Sequence, residues 1–180
     1  MPLPGELNQV IPPLSDRDHI RGAPNAIIIL MAYGDYQCPQ SGQAHVTIKG
    51  IQQRLGEQLC FVFRHFPQPQ IYSQALRAAE SAEAAAAQGK FWEMHDILFA
   101  HQQALDDGDL VQYAAQLSLD IPQFLREMAE HIHVQRVQSD IDSGQSNGVE
   151  KTPTFFIGIR CKKTQNLEVL LMTILETSTA

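Results

Sequence analysis

The stretch Ala26-Ile27-Ile28-Ile29-Leu30-Met31-Ala32-Tyr33-Gly34-Asp35-Tyr36-Gln37-Cys38-Pro39 decides how this chain folds. Its first eight residues are an unbroken apolar run of strand length, the pattern of a strand buried on both faces of a sheet. Gly34-Asp35-Tyr36-Gln37 ends the run. Pro39 then suits the first turn of a helix, where its missing N–H leaves no bond unmade. Beyond it Ala44, Ile48, Ile51 and Leu55 fall on one helical stripe, and Gly56 supplies a stop. A buried strand therefore runs through a turn into a helix that starts beside a cysteine.

Outward from this unit, Leu59-Cys60-Phe61-Val62-Phe63-Arg64 reads as a second strand, ended by Pro67 and Pro69. From about residue 73 to 143 the period becomes helical. Segments Ala75–Ala87, Phe91–His101, Leu110–Leu117, Phe124–Glu130 and Val134–Ile141 are separated by glycine, aspartate and proline, with Asp109 and Asp120 placed as N-caps. After Gly144 and Gly148 the strand signal returns in Thr154-Phe155-Phe156-Ile157-Gly158-Ile159, and Leu167–Leu175 reads as a last helix. The order β, α, β, helical block, β, α, with room for one more short strand before the last helix, describes a βαβ unit and a later ββα unit, an α/β fold with an all-helical insertion. The expected organisation is an extended arm over 1–18, a core from 19–72 and 144–180, and the insertion over 73–143.

The chain has 180 residues, 44% of them hydrophobic and 18% charged, enough apolar material for a real core without disulfides or metals. A formal charge of -7, with no run of four basic residues, sets nucleic acid aside as a partner. The helical block carries twelve Asp or Glu against four Lys or Arg, so the acidity is concentrated there. No stretch is apolar for the roughly 20 residues a membrane span needs, and the first residues lack a signal-peptide pattern. Three separated cysteines, Cys38, Cys60 and Cys161, suit single-purpose thiols in a reducing compartment. The expectation is a cytoplasmic protein engaging neither nucleic acid nor membrane.

Cys38 draws attention by its place. At a helix start, free N–H groups and the positive end of the helix dipole favour thiolate over thiol. A buried, inert cysteine filling a helix start is the competing reading, and placement alone does not separate the two. A second signal is Lys151-Thr152-Pro153-Thr154-Phe155-Phe156, because proline rarely precedes a strand that reads as central. A cis Thr152–Pro153 bond would turn the chain into the strand; a trans proline at a sheet edge is the plainer alternative.

Taken together these motifs resemble the DsbA-like branch of the thioredoxin superfamily. Tyr33-Gly34-Asp35-Tyr36-Gln37-Cys38-Pro39 is similar to that family's active-site entry. Further matches are Phe63-Arg64-His65-Phe66-Pro67, Gln88-Gly89-Lys90-Phe91-Trp92-Glu93-Met94-His95, Val149-x-x-Thr152-Pro153-Thr154-Phe155-Phe156-Ile157 and the lead-in Asp18-His19-Ile20-Arg21-Gly22-Ala23-Pro24. They occur in the family's order over roughly residues 16 to 175. The resemblance implies a thioredoxin-like fold with a helical insertion, and a cis-proline loop lying against an active-site sulfur.

One departure bears on function. The family carries Cys-x-x-Cys, whereas this chain reads Cys38-Pro39-Gln40-Ser41, so the resolving thiol is a serine. What the resemblance then implies is a monothiol site. Cys38 would attack a protein disulfide or a glutathione mixed disulfide, Thr152 and Pro153 would hold the substrate, and an external thiol such as glutathione would release the enzyme. The sulfur should remain accessible beside the proline. No other cofactor is called for. The alternative is a thioredoxin-fold module that binds peptides or proteins and has lost redox cycling, with Ser41 as its support. Cys60 reads as buried and inert, and Cys161, in Arg160-Cys161-Lys162-Lys163, as a weak second reactive candidate. No metal is expected: His131 and His133 fall on different helical faces, and no zinc-ligand spacing is present. His45 stands two helical turns beyond Cys38, too far to pair with it.

Overall fold

The computed structural model describes residues 11–160. The expected arm residues 1–10, Cys161 and the expected helix Leu167–Leu175 lie outside the described residues. The elements, in chain order, are β1 (His19–Gly22), β2 (Ile28–Gly34), α1 (Pro39–Leu55), a 3-10 turn at Gly56–Gln58, β3 (Leu59–His65), α2 (Ala75–Ala86), α3 (Phe91–Ala100), α4 (Asp107–Gln116), α5 (Ile121–Ala129), α6 (Val134–Ser146) and β4 (Thr154–Ile159). Of the described residues, 11–32, 48–63 and 155–160 form one compact unit, and 33–47 with 64–154 form another. No helix among the described residues is long and apolar enough to cross a membrane.

The first unit is built on the sheet, whose strand order is β1-β3-β2-β4. β2 and β3 are buried along their whole length, as their unbroken apolar runs require. β1 lies antiparallel to β3, with His19 opposite Phe63 and Gly22 opposite Cys60. This strand has no signal in the sequence: four residues, two of them charged or polar, pair on an edge. Gly22 is obligatory there, since it sits at φ 92° and a Cβ would come within 2.3 Å of the Leu59 carbonyl oxygen. β4 reads as central but takes the other end of the sheet among the described residues. Its residues alternate between half-buried and exposed, with Phe155, Ile157 and Ile159 on the exposed set. A proline ahead of an edge strand interrupts no ladder.

The second unit is helical around α2. Six of its alanines, Ala75, Ala78, Ala79, Ala82, Ala84 and Ala85, are buried, and their small side chains let α3, α4, α5 and α6 all approach one helix. Several boundaries differ from the expectation: α4 and α5 each begin three residues earlier, at Asp107 and Ile121, and α6 ends later. The N-cap of α4 is Asp106, which accepts from Asp109 N–H at 2.9 Å while Asp109 accepts from Asp106 N–H at 3.2 Å. Asp109 is thus the third residue of a reciprocal capping box and not the cap itself. Asp120 does cap α5, accepting from Gln123 N–H at 2.8 Å, with Pro122 inside the first turn. α6 continues past Ile141 and through Gly144 to Ser146. Gly144 serves packing here: a Cβ would sit 2.8 Å from the Phe66 ring and 3.1 Å from the Tyr33 ring.

Candidate functional site

Tyr33–Cys38 carries the chain from the end of β2 to the start of α1. Cys38 N–H donates to the Asp35 carbonyl at 3.2 Å, closing the turn, and Gly42 N–H donates to the Cys38 carbonyl at 3.1 Å, opening the helix. Pro39 follows at the first helical position, so Cys38 stands where unpaired helix N–H groups face its sulfur. Pro39 and Gln40 are exposed, whereas Ser41 is buried. Every residue of the site named below belongs to the second unit.

The Cys38 sulfur has two acceptors within reach: Gln40 Oε1 at 3.3 Å and the Thr152 carbonyl at 3.4 Å. The Thr152–Pro153 bond is cis. Cys38, Ser41 and Thr152 thus come together with Gln40 and the Pro153 loop, drawn from segments more than 100 residues apart. The expected accessibility of the sulfur is not what the structure has, because Cys38 is only 2% exposed. A partner therefore reaches the sulfur only once neighbouring groups give way, and Gln40, exposed and with Oε1 3.3 Å from the sulfur, is one of them.

Several glutamines that carry no signal of their own hold this arrangement. Gln102 Nε2 donates to the Tyr36 and Cys38 carbonyls, both at 2.8 Å. Gln68 Oε1 accepts from Thr152 Oγ1 at 3.2 Å, and Gln37 Oε1 accepts from Gln74 N–H at 2.8 Å. Asp35 ties two turns together: its carboxylate accepts from Gln37 N–H at 2.8 Å and Gln68 N–H at 2.9 Å. Burial pushes the Asp35 carboxyl above its ordinary range, against the hydrogen bonds from the Gln68, Gln37 and Cys38 backbone.

Burial also works against ionising Cys38, but here it loses. Hydrogen bonds from the Thr152 side chain, the Ser41 N–H and hydroxyl, and the Gln40 N–H together hold the thiol below its ordinary value. Tyr72 moves the opposite way: burial raises its phenol, and the charge of Cys38, a hydrogen bond to that residue and the charge of Asp35 add to the rise. Tyr72 is thus a further polar group at the sulfur, and its sequence context, between Ile71 and Ser73, gives no hint of it. Cys60 behaves differently. Buried in β3, it is pushed up mainly by burial, with Arg160 lowering and Asp18 raising it. A free thiol of that kind is poorly nucleophilic.

Thr152→Val should raise the pH at which Cys38 becomes reactive to iodoacetamide, because it deletes the hydroxyl whose proton turns from Gln68 Oε1 to the sulfur when the thiolate forms, and leaves the helix N–H groups in place. An unchanged pH profile would assign the thiolate to the helix terminus alone.

The histidines serve elsewhere. His65 Nε2 is 2.8 Å from Glu83 Oε1, both buried. His131 and His133 engage separate carboxylates, Glu80 at 2.9 Å and Glu127 at 2.8 Å. His95 Nδ1 is 3.0 Å from the Tyr36 hydroxyl.

The thioredoxin family model matches residues 14–175. Among curated proteins, the chain is 39% identical over 167 residues to the Na(+)/H(+) antiporter NhaA 3 of Salinispora tropica, a match covering 92% of this chain and 26% of the antiporter. The chain thus spans about a quarter of the length of such relatives. Among solved structures, a thioredoxin-like oxidoreductase from Silicibacter pomeroyi superposes with a TM-score of 0.71 at 21% identity, over 92% of this chain and 95% of that one. Wolbachia pipientis alpha-DsbA1 superposes with a TM-score of 0.72 at 19% identity, over 93% and 94%. At these identities the two structures speak for the fold.

Proposed function

We propose that this chain, which belongs to the thioredoxin family and has a DsbA-like fold, is a thiol-disulfide oxidoreductase that works through one cysteine, Cys38. The observation that carries the reading is a sulfur at a helix N-terminus, beside the Thr152–Pro153 loop, whose surroundings favour thiolate. The substrate class is a protein disulfide or a glutathione mixed disulfide. In the first step the Cys38 thiolate attacks the glutathione sulfur of a protein–glutathione disulfide; a Cys38–glutathione disulfide forms and the protein leaves as thiolate. In the second step an external glutathione thiolate attacks that disulfide, giving oxidised glutathione and returning Cys38 as thiolate. The external glutathione thiolate is the net reductant: its sulfur goes from thiolate to disulfide as the protein sulfur goes from disulfide to thiolate, while the substrate's own glutathione sulfur stays at the disulfide level throughout. Thr152 and Pro153 hold an extended substrate segment, and Pro39, Gln40 and Ser41 frame the nucleophile. A reducing, cytoplasmic setting supplies the external thiol.

A second reading is favoured by Ser41 and by the much longer antiporter relatives: a thioredoxin-fold module that binds an extended segment of a larger partner without turnover. One experiment separates the two. Incubation with oxidised glutathione should give a single mixed disulfide on Cys38, seen by intact and peptide mass spectrometry, and reduced glutathione should discharge it. If no adduct forms while an extended peptide binds stoichiometrically, and Cys38→Ser leaves that affinity unchanged, the binding reading stands and the enzymatic one falls.

A further inference from the structure

Helices α1 and α3 bring together three side chains that the thiol chemistry does not use: His45, His95 and Asp96. One ligand atom from each lies within 4.8 Å of the others. His45 Nε2 and Asp96 Oδ1 are 3.5 Å apart. Bonds of about 2.0–2.2 Å to a tetrahedral ion set two ligand atoms about 3.4 Å apart, so this separation is already that of two donors sharing an ion.

Both rings are oriented by their surroundings. His45 stacks on Phe99 with centroids 4.8 Å apart and planes at 20°. His95 is 1% exposed and packs edge-on against Phe99 and Trp92, both at 5.0 Å. Its Nδ1 lies 3.0 Å from the Tyr36 hydroxyl. A ligating histidine is characteristically fixed by such a bond from its other ring nitrogen. The cluster also reaches water, since the Asp96 side chain is 29% exposed and that of His45 11%. An ion can therefore reach the cluster from solvent, which also supplies water as a fourth ligand.

We propose that His45, His95 and Asp96 form a binding site for a borderline divalent transition ion, Zn2+ in the first instance, with two imidazoles, one carboxylate and a solvent position. Two nitrogen donors disfavour Mg2+ and Ca2+, which take oxygen, and suit the first-row metals of the Zn2+ kind. The ion takes His95 at Nε2, and Nδ1–H then donates to Tyr36. The sequence conceals the site because its ligands lie on two helices, 50 residues apart, with no zinc-ligand spacing between them. It goes beyond the thiol reading and stands or falls apart from it, because none of its ligands is at Cys38.

The test is calorimetric titration of the full chain with Zn2+, paralleled by Co2+ as an absorbing probe. Wild type should bind one equivalent. Removing an outer partner costs roughly 10–100-fold in affinity, so Tyr36→Phe should weaken binding within that range. Asp96→Asn and His45→Gln each remove a ligand and should cost about 100-fold or more. Cys38→Ser should leave binding and the Co2+ spectrum unchanged. Absence of saturable binding, undiminished binding in both ligand variants, or a sulfur-to-Co2+ band that vanishes in Cys38→Ser overturns the proposal. Asp96→Asn exchanges isosteric groups at a partly exposed position, so its result does not hinge on refolding.

Discussion

Ser41→Cys should turn a one-thiol site into a two-thiol site. Position 41 lies in the first turn of α1, three residues beyond Cys38, is buried, and already bears on the Cys38 sulfur through its hydroxyl. A thiol there faces Cys38 across the first helical turn, and closure needs an S–S distance of about 2.05 Å. Oxidation should then remove two hydrogens from the intact mass and make both thiols unreactive to alkylation until reduced. Resolution of a Cys38 mixed disulfide becomes intramolecular. Since well-oriented internal reactions reach effective molarities far above any millimolar thiol, release should accelerate by roughly 100-fold or more and no longer depend on glutathione. The wild-type hydroxyl accepts from Asp35 N–H at only 3.4 Å, so sulfur in its place should cost less than about 1 kcal/mol. If the introduced thiol stays free after full oxidation, the turn does not have the geometry ascribed to it.

The other large effect concerns Cys38 itself. Cys38→Ser should lower disulfide exchange by about 1,000-fold or more, to background, because an alcohol at that position is not ionised and does not exchange with disulfides. Cys60 cannot substitute, being buried and pushed toward the thiol form. The comparison is best made in a Cys161→Ser background, so that the remaining reactive thiol is the one replaced. Residual exchange at a tenth of the wild-type rate would remove Cys38 from the nucleophile's role. A stability signature accompanies the loss. Folding lowers the Cys38 pKa below the ordinary value of 9.0. The wild type therefore gains stability that is fully present above that value and is lost as pH falls through the folded pKa. Denaturant midpoints of wild type and Cys38→Ser should diverge as pH rises toward 9 and run parallel below the folded pKa.

Much of this is legible in the residues. Unbroken apolar runs announce β2 and β3, because a strand covered on both faces has no reason to alternate. The five-helix block follows from period and breakers, and Cys38-Pro39 marks the start of α1 because proline tolerates few other helical positions. Other features leave no local trace. β1 is a polar four-residue edge whose pairing with β3 supplies what its own sequence does not. The cap of α4 falls at Asp106 and not at Asp109, because two aspartates in a box look alike until the backbone shows which one is extended. Gly144 falls beyond the expected end of the last helix of the block, yet it lies inside α6, where Phe66 leaves no space for a side chain. The glutamines around the thiol are invisible for another reason: glutamine is ordinary on surfaces, and Gln102 and Gln74 meet the Tyr36–Cys38 turn, and Gln68 meets Asp35 and Thr152, only through the fold. The depth of Cys38 is likewise a property of neighbours distant in sequence.

Gln102 carries a consequence for how this chain can change over generations. Its amide grips the two carbonyls that set the nucleophile's turn, and a Cβ at Gly42 would stand 2.1 Å from its Oε1. Positions 42 and 102 are therefore epistatic. A side chain at 42 becomes tolerable only once the reach of glutamine at 102 has been given up, and the turn has by then lost its clamp. Lineages that keep the thiol in use should inherit glycine and glutamine as a pair, and drift at both positions together should mark those in which the sulfur has fallen idle.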